Sequence, residues 1–242
     1  WNELQYLDMF EKEAKSLEFL KGKSVLRIPE VFGYGQIEEK AFLALEFLEQ
    51  GVESREYWKK LGEGLAELHE NTATAYGLSF DNYIGKLEQI NQQETDWITF
   101  YIERRLKAQV GRLTYEGNAS PDFQARFDLF LKKLPEMLPP SKPCLLHGDL
   151  WSGNAFATGN DATVFDPAIY YGAPEMDLAM TELFGGFAPE FYAAYESQSS
   201  ITPHYKQHKD IYQLYPLLVH ANIFGVNSGY LSAVDRIIKR YL

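Results

Sequence analysis

Eight consecutive residues, His147-Gly148-Asp149-Leu150-Trp151-Ser152-Gly153-Asn154, and the later Phe165-Asp166-Pro167 gather chemically capable side chains in a fixed order. An H-x-D-L-x-x-x-N run is a catalytic-loop pattern of phosphoryl transfer, in which the Asp meets a substrate hydroxyl and the Asn holds a metal ion. The pattern points to ATP-dependent phosphorylation of a small molecule. Asp149 is the candidate for orienting the acceptor hydroxyl and taking its proton. Asn154 and Asp166 are the candidate ligands of Mg2+, a cation that takes oxygen donors, keeps several waters and commonly relies on one or two carboxylates plus phosphates. His147 reads as a packing and hydrogen-bonding residue of the loop. Asp and Asn also serve as ordinary turn caps; four polar positions and Gly148 in one register distinguish this run from a chance turn.

The elements around these residues must hold them together. Ala155-Phe156-Ala157-Thr158 and Ala162-Thr163-Val164-Phe165 are β-compatible runs flanking Gly159-Asn160-Asp161, whose residue types suit a reversing turn. A hairpin centred on Asn160 places Asn154 opposite Asp166, with Cα atoms roughly 4.5 to 5.5 Å apart, so that amide and carboxylate share a cation. Upstream, Leu4, Leu7, Phe10, Ala14 and Leu17 recur at helical spacing and predict an amphipathic helix over 3–20. Residues 31–37 and 41–48 read as strands separated by Glu38-Glu39-Lys40. Ser54 is a plausible cap for a helix through His69, with Trp58, Leu61, Leu65 and Leu68 along one face. Further helices are expected over 94–111 and 121–137, and another begins near Pro174 with Glu175 and Asp177 in its first turn. His69 reads as a structural hydrogen-bonding residue. His204, His208 and His220 have neither cysteine partners nor a metal-ligand spacing.

Composition narrows the class. The 242 residues are 45% hydrophobic and carry a net charge of −11, enough for a sizeable core in one or two lobes. That charge excludes the basic footprint of a nucleic-acid binder. No apolar run approaches the roughly 20 residues of a membrane span and no signal-peptide pattern opens the chain, so a cytoplasmic location is the expectation. The single Cys144 has no intrachain disulfide partner and sits in an apolar run, as a core residue would.

The strings L-L-H-G-D-L-W-S-G-N, F-D-P-A-x-Y-Y-G and E-M-D-L-A-M resemble the fructosamine kinase (ketosamine 3-kinase) family, a branch of the aminoglycoside phosphotransferase and choline kinase-like group. The likeness extends to Phe10-Glu11-Lys12-Glu13-Ala14, Leu65-Ala66-Glu67-Leu68-His69, Asp81-Asn82-Tyr83-Ile84-Gly85, Gln89-Ile90-Asn91, Arg104-Arg105-Leu106 and Phe224-Gly225. The resemblance implies an α+β, two-lobed protein-kinase-like fold. Residues 1–48 would be part of a small sheet-containing nucleotide-binding lobe and hinge, and 49–242 a larger helical lobe with the catalytic and acceptor sites. It also implies ATP and Mg2+ as cofactors and a ketosamine, such as a fructosamine or ribulosamine derivative, as the acceptor phosphorylated at its 3-hydroxyl.

By the same resemblance, Glu13 matches the helix glutamate that pairs with an ATP-phosphate lysine. That lysine falls just before a dipeptide like Trp1-Asn2, so neither it nor a glycine-rich loop is expected within these residues. Glu46, Phe47 and Leu48 match the hinge whose backbone meets adenine, and Asp177 matches the carboxylate bracing the catalytic loop. Trp151 is the foremost acceptor-side candidate, followed by Gln89 and Asn91, with Trp97 and Phe100 weaker. A kinase for another hydroxylated amine, aminoglycoside or choline-like, and a nucleotide-binding pseudokinase are the alternative readings.

Overall fold

A computed structural model describes residues 1–242 throughout. The chain opens with β1 (Asn2–Glu3), a 3₁₀ turn, α1 (Leu7–Lys21) and the hairpin β2 (Val31–Ile37) and β3 (Lys40–Leu45). These strands form an antiparallel sheet in the order β1-β3-β2. α1 starts at Leu7 rather than residue 3 and buries Ala14, Ser16, Leu17 and Leu20; of the expected stripe Ala14 and Leu17 are buried, Leu7 and Phe10 are half-buried and Leu4 is exposed in the preceding turn. β3 stops at Leu45, three residues short of the expected strand. There Glu46 turns its N–H onto Glu30 O (2.8 Å) and its carboxylate onto Arg27 and the Glu30 N–H, which takes the chain out of the sheet.

Helices dominate the remainder. α2 (Arg55–His69) starts where its cap predicts, with Ser54 Oγ accepting from Tyr57 N. The hairpin β4 (Asn82–Ile84) and β5 (Leu87–Gln89) precedes a continuous helical stretch from Trp97 to Tyr115, made of α3 (Trp97–Phe100), a π-helical segment (Tyr101–Leu106) and α4 (Lys107–Tyr115). The expected 94–111 helix is thus displaced toward the C-terminus. Asp96 Oδ1 caps it by accepting from Thr99 N at 2.8 Å, while Glu94 is held in extended pairing with Tyr76. α5 (Pro121–Met137) keeps its predicted bounds, with Ser120 as cap and Pro121 in the first turn.

Next come β6 (Cys144–Leu146), the hairpin β7 (Ala155–Thr158) and β8 (Asp161–Val164), β9 (Tyr170–Gly172), α6 (Glu175–Leu183), α7 (Pro189–Gln198), α8 (Pro203–Tyr212), α9 (Leu214–Phe224) and α10 (Tyr230–Arg240). β6 pairs with β9, so the catalytic run between β6 and β7 and the Asp166 segment between β8 and β9 emerge side by side. One apolar core runs from Leu17, Leu20 and Ile28 through α2, α5 and α9 to Ile238. Cys144 is buried, and desolvation pushes its thiol up to about 11, as suits a core residue. No helix is long and apolar enough to cross a membrane.

Candidate functional site

The catalytic run is a loop fixed at both ends by polar contacts that burial makes obligatory. Asp177, on the first turn of α6, is 1% exposed. Its Oδ2 accepts from His147 N (2.8 Å) and its Oδ1 from Gly148 N (2.9 Å), while His69 Nε2 approaches Oδ2 at 3.2 Å. Tyr195 OH completes the line at His69 Nδ1 (2.8 Å). His147 accepts from Asp149 N at Nδ1 (3.3 Å) and donates from Nε2 to Phe165 O (3.1 Å), which fixes the neutral tautomer; burial holds its pKa low. His147 and His69 are thus structural, as their sequence context predicts. Gly148 has φ +84° and a Cβ there would collide with Ala168 O, so only glycine lets the loop lie against the Asp166 segment.

The hairpin forms, but in a register one residue from the expected one. Ala155 pairs with Val164 and Thr158 with Asp161, leaving a two-residue Gly159-Asn160 loop with Gly159 at φ +57°, a glycine position typical of tight hairpins. Asn154 therefore faces Phe165, whose N–H donates to Asn154 O at 3.1 Å. Asp166 lies one residue beyond the ladder at φ +53°, a conformation that L-residues hold at a cost and that recurs at functional sites. Its carbonyl is 3.4 Å from Asn154 Nδ2, and the same amide donates to Asp149 O (2.9 Å) and Asp149 Oδ2 (3.2 Å). Asn154 thus ties Asp149 to Asp166, although not by direct opposition across the hairpin.

Asp149, Asp166 and Glu13 line one cavity of about 540 Å³, between α1, Leu45 at the end of β3, the β4–β5 turn and the Asp166-Pro167-Ala168 segment. Burial and the neighbouring Asp166 raise the Asp149 carboxyl from 3.8 to about 7, against the opposing hydrogen bond from Asn154. Burial, then Asp166, raises Glu13 from 4.5 to about 7, and burial raises Asp166. Among the lining residues only Lys86 is cationic. Three carboxyls that resist ionisation around one cavity form a site short of positive charge. No three His, Cys, Asp or Glu side chains converge as a metal cage.

The profile of the fructosamine kinase family matches residues 1–242, the whole chain. The chain belongs to the fructosamine kinase family. It is 41% identical over 226 residues to a probable ketoamine kinase of Vibrio parahaemolyticus, covering 93% of this chain and 78% of that one. It is 38% identical over 239 residues to the chloroplastic protein-ribulosamine 3-kinase of Arabidopsis thaliana, covering 97% and 72%. A crystal structure from Haemophilus somnus, of a protein assigned by name to the fructosamine-3-kinases, superposes with a TM-score of 0.90 at 31% identity, over 100% of this chain and 82% of that one. An ADP-bound aminoglycoside phosphotransferase superposes at 0.61 with 13% identity over 97% and 82%, a likeness of fold alone. The chain therefore has the protein-kinase-like α+β fold.

Several sequence candidates stand apart from the cavity. Gln89 and Asn91 are buried and spend both amide hydrogens internally: Gln89 on Asn82 Oδ1 (2.9 Å) and Ala168 O (3.0 Å), Asn91 on Phe80 O (3.1 Å) and Asn82 Oδ1 (2.8 Å). Expected as acceptor-side residues, they neither line this cavity nor have an amide hydrogen to spare. Trp97 and Phe100 are likewise core residues, Trp97 stacked on Tyr101 and Phe100 packed at a tilt against Tyr170. The Glu46 carboxylate is engaged with Arg27, and the cavity reaches Leu45 rather than Glu46, Phe47 or Leu48. The N–H groups of Phe47 and Leu48 make no backbone hydrogen bond. Trp151, 37% exposed, stands edge-on to Phe184 (6.2 Å). Phe184 packs on His220 (4.6 Å) and His220 on Tyr230 (5.0 Å). Sequence reading missed this aromatic wall because its members lie on separate elements; only Trp151 sits in a motif.

Proposed function

We propose that this chain is an ATP-dependent ketosamine kinase that transfers the γ-phosphoryl group to the 3-hydroxyl of a fructosamine or ribulosamine derivative. The observation that carries the reading is the convergence of Asp149 and Asp166, tied through Asn154, on one cavity in a chain of the fructosamine kinase family. Asp149 orients the acceptor hydroxyl and accepts its proton; a carboxyl held near 7 is well matched to that task. Asp166 and the free Oδ1 of Asn154 are the proposed Mg2+ ligands, where the cation would offset phosphate charge. Phosphoryl transfer relies on positioning and charge neutralisation rather than covalent chemistry, and the Asp177 brace supplies the positioning. Glu13 shapes the phosphate side, and Glu46-Phe47-Leu48 offers backbone groups to adenine. Trp151 and its aromatic neighbours form the acceptor side, where flat faces suit an amine-bearing sugar. In this reading residues 1–48 belong to the nucleotide lobe and hinge, and 49–242 to the catalytic lobe.

The test is magnesium-dependent ATP consumption on ribulosamine and fructosamine derivatives of lysine, with an aminoglycoside panel and Asp149→Asn as controls. Phosphorylated ketosamine is expected from the parent, with turnover falling about 10² to 10⁴-fold in Asp149→Asn, the worth of a positioned base. Undiminished turnover in that variant removes Asp149 from the mechanism. Turnover on aminoglycosides alone replaces the acceptor.

A further inference from the structure

Arg105 is fully buried in the π-helical segment and has no carboxylate partner. Desolvating an unpaired cation is expensive, so its neighbours indicate what it serves. Its guanidinium donates to Ile90 O (2.7 Å) and Asn91 Oδ1 (2.7 Å), and it lies over the rings of Tyr170 (4.0 Å) and Phe100 (4.6 Å). From Asn91 the bonding continues to Asn82 Oδ1, which also receives Gln89. Tyr215 OH donates to Gln89 Oε1 at 2.6 Å. The chain of bonds terminates on two backbone carbonyls: Gln89 Nε2 donates to Ala168 O (3.0 Å) and Asn82 Nδ2 to Ile169 O (2.9 Å). Ala168 lies two residues after Asp166. Its N–H donates to His147 O at 2.9 Å, and its carbonyl is the one that requires glycine at 148.

We propose that the buried network Arg105–Asn91–Asn82–Gln89–Tyr215 clamps the Asp166–Ile169 segment against the catalytic loop and so sets the placement of Asp166 relative to Asp149. Gln89, Asn91, Arg105 and Tyr215 are positioning residues that stand outside the cavity. The segment they hold includes the left-handed Asp166, a conformation that persists only where surrounding contacts over-determine it. The proposal rests on Asp166 acting as a metal ligand, as proposed above, and outer contacts that orient a ligand typically govern 10- to 100-fold in metal affinity or activity.

The experiment compares Gln89→Met, Tyr215→Phe and Asp166→Asn with the parent in the ketosamine assay, recording kcat, both KM values and the Mg2+ requirement, the last both as the concentration for half-maximal rate and, without acceptor or turnover, as the Mg2+ dependence of ATP binding by calorimetry, with circular dichroism and thermal unfolding to establish folding. Gln89→Met retains volume and loses the donor to Ala168 O. Its Mg2+ requirement should rise about 10-fold or more with a lower kcat, while the acceptor KM stays within about twofold. Tyr215→Phe, which deletes one hydroxyl, should shift the same quantities in the same direction by less. A folded Gln89→Met with the parent Mg2+ requirement overturns the proposal, as does a rise in acceptor KM alone, which marks a substrate contact. If Gln89→Met does not fold, Tyr215→Phe decides by the same criterion. An unchanged Mg2+ requirement in Asp166→Asn overturns the metal assignment and the proposal with it, an outcome distinct from failure of the clamp alone.

Discussion

Replacing Asp149 by Asn should inactivate the protein and stabilise it, by an amount that depends on pH in a defined direction. Burial and Asp166 raise the carboxyl from 3.8 to about 7. Below about pH 4 the acid is protonated whether folded or unfolded, and its ionisation costs nothing. Between about 4 and 7 the unfolded chain releases a proton that the folded chain retains, so stability falls as pH rises; above 7 the full cost is present. Some three pK units at 1.36 kcal/mol each set a ceiling of about 4 kcal/mol. Glu13 and Asp166 share the same field and relieve one another on protonation, so about 1 to 4 kcal/mol is expected at pH 8. Asn keeps an acceptor for Asn154 Nδ2, which donates to Asp149 Oδ2 at 3.2 Å, so that donor is not orphaned. Thermal unfolding of parent and variant in metal-free buffer from pH 4 to 8.5 reads the effect, at roughly 2 to 4 °C per kcal/mol for a chain of this size. A stability gap that does not widen with pH, or a variant that becomes less stable than the parent as pH rises, refutes the electrostatic reading.

Two other variants test the remaining parts of the site. Asp177→Asn places an amide where His147 N and Gly148 N require acceptors; one orphaned N–H costs about 1 to 3 kcal/mol, so both unfolding temperature and kcat should drop, and a variant with parent stability and rate would show that the brace is dispensable. Trp151→Ala should raise the acceptor KM roughly 2- to 30-fold, the equivalent of about 0.5 to 2 kcal/mol for a cation on an aromatic face, with the ATP KM unchanged; a rise in ATP KM instead would place Trp151 on the nucleotide side.

Much of this arrangement was legible where local chemistry determines local structure. Ser54 marks its helix start because a hydroxyl acceptor satisfies first-turn needs without tertiary help. That Asp149, Asn154 and Asp166 come together was legible because a short hairpin joins the segments that carry them. The hairpin register was not: Gly159-Asn160-Asp161 fits a loop of three as well as one of two, and the one-residue difference moves Asp166 off the ladder. The internal bonding of Gln89 and Asn91 was hidden for a related reason. A polar residue in a motif has one appearance whether it meets a ligand or the backbone of a distant segment, and Ala168 O is 79 residues from Gln89. The π-helical segment at Tyr101–Leu106 carries no periodic signature, since its widened turn places Arg105 in a core assembled from other elements.

Arg27 links regions on either side of the cavity. Its backbone bridges to β8, with Arg27 N donating to Ala162 O (2.9 Å) and Val164 N to Arg27 O (3.0 Å), while its guanidinium holds Glu46 at the strand end. The strand end and the catalytic hairpin are therefore registered to each other through a single residue before any nucleotide arrives. Ligand binding to a preassembled site spends little of its interaction energy on ordering the protein. Calorimetry should then register nucleotide association with a small entropic penalty, and cutting the Arg27 tie should reveal itself as a more unfavourable binding entropy.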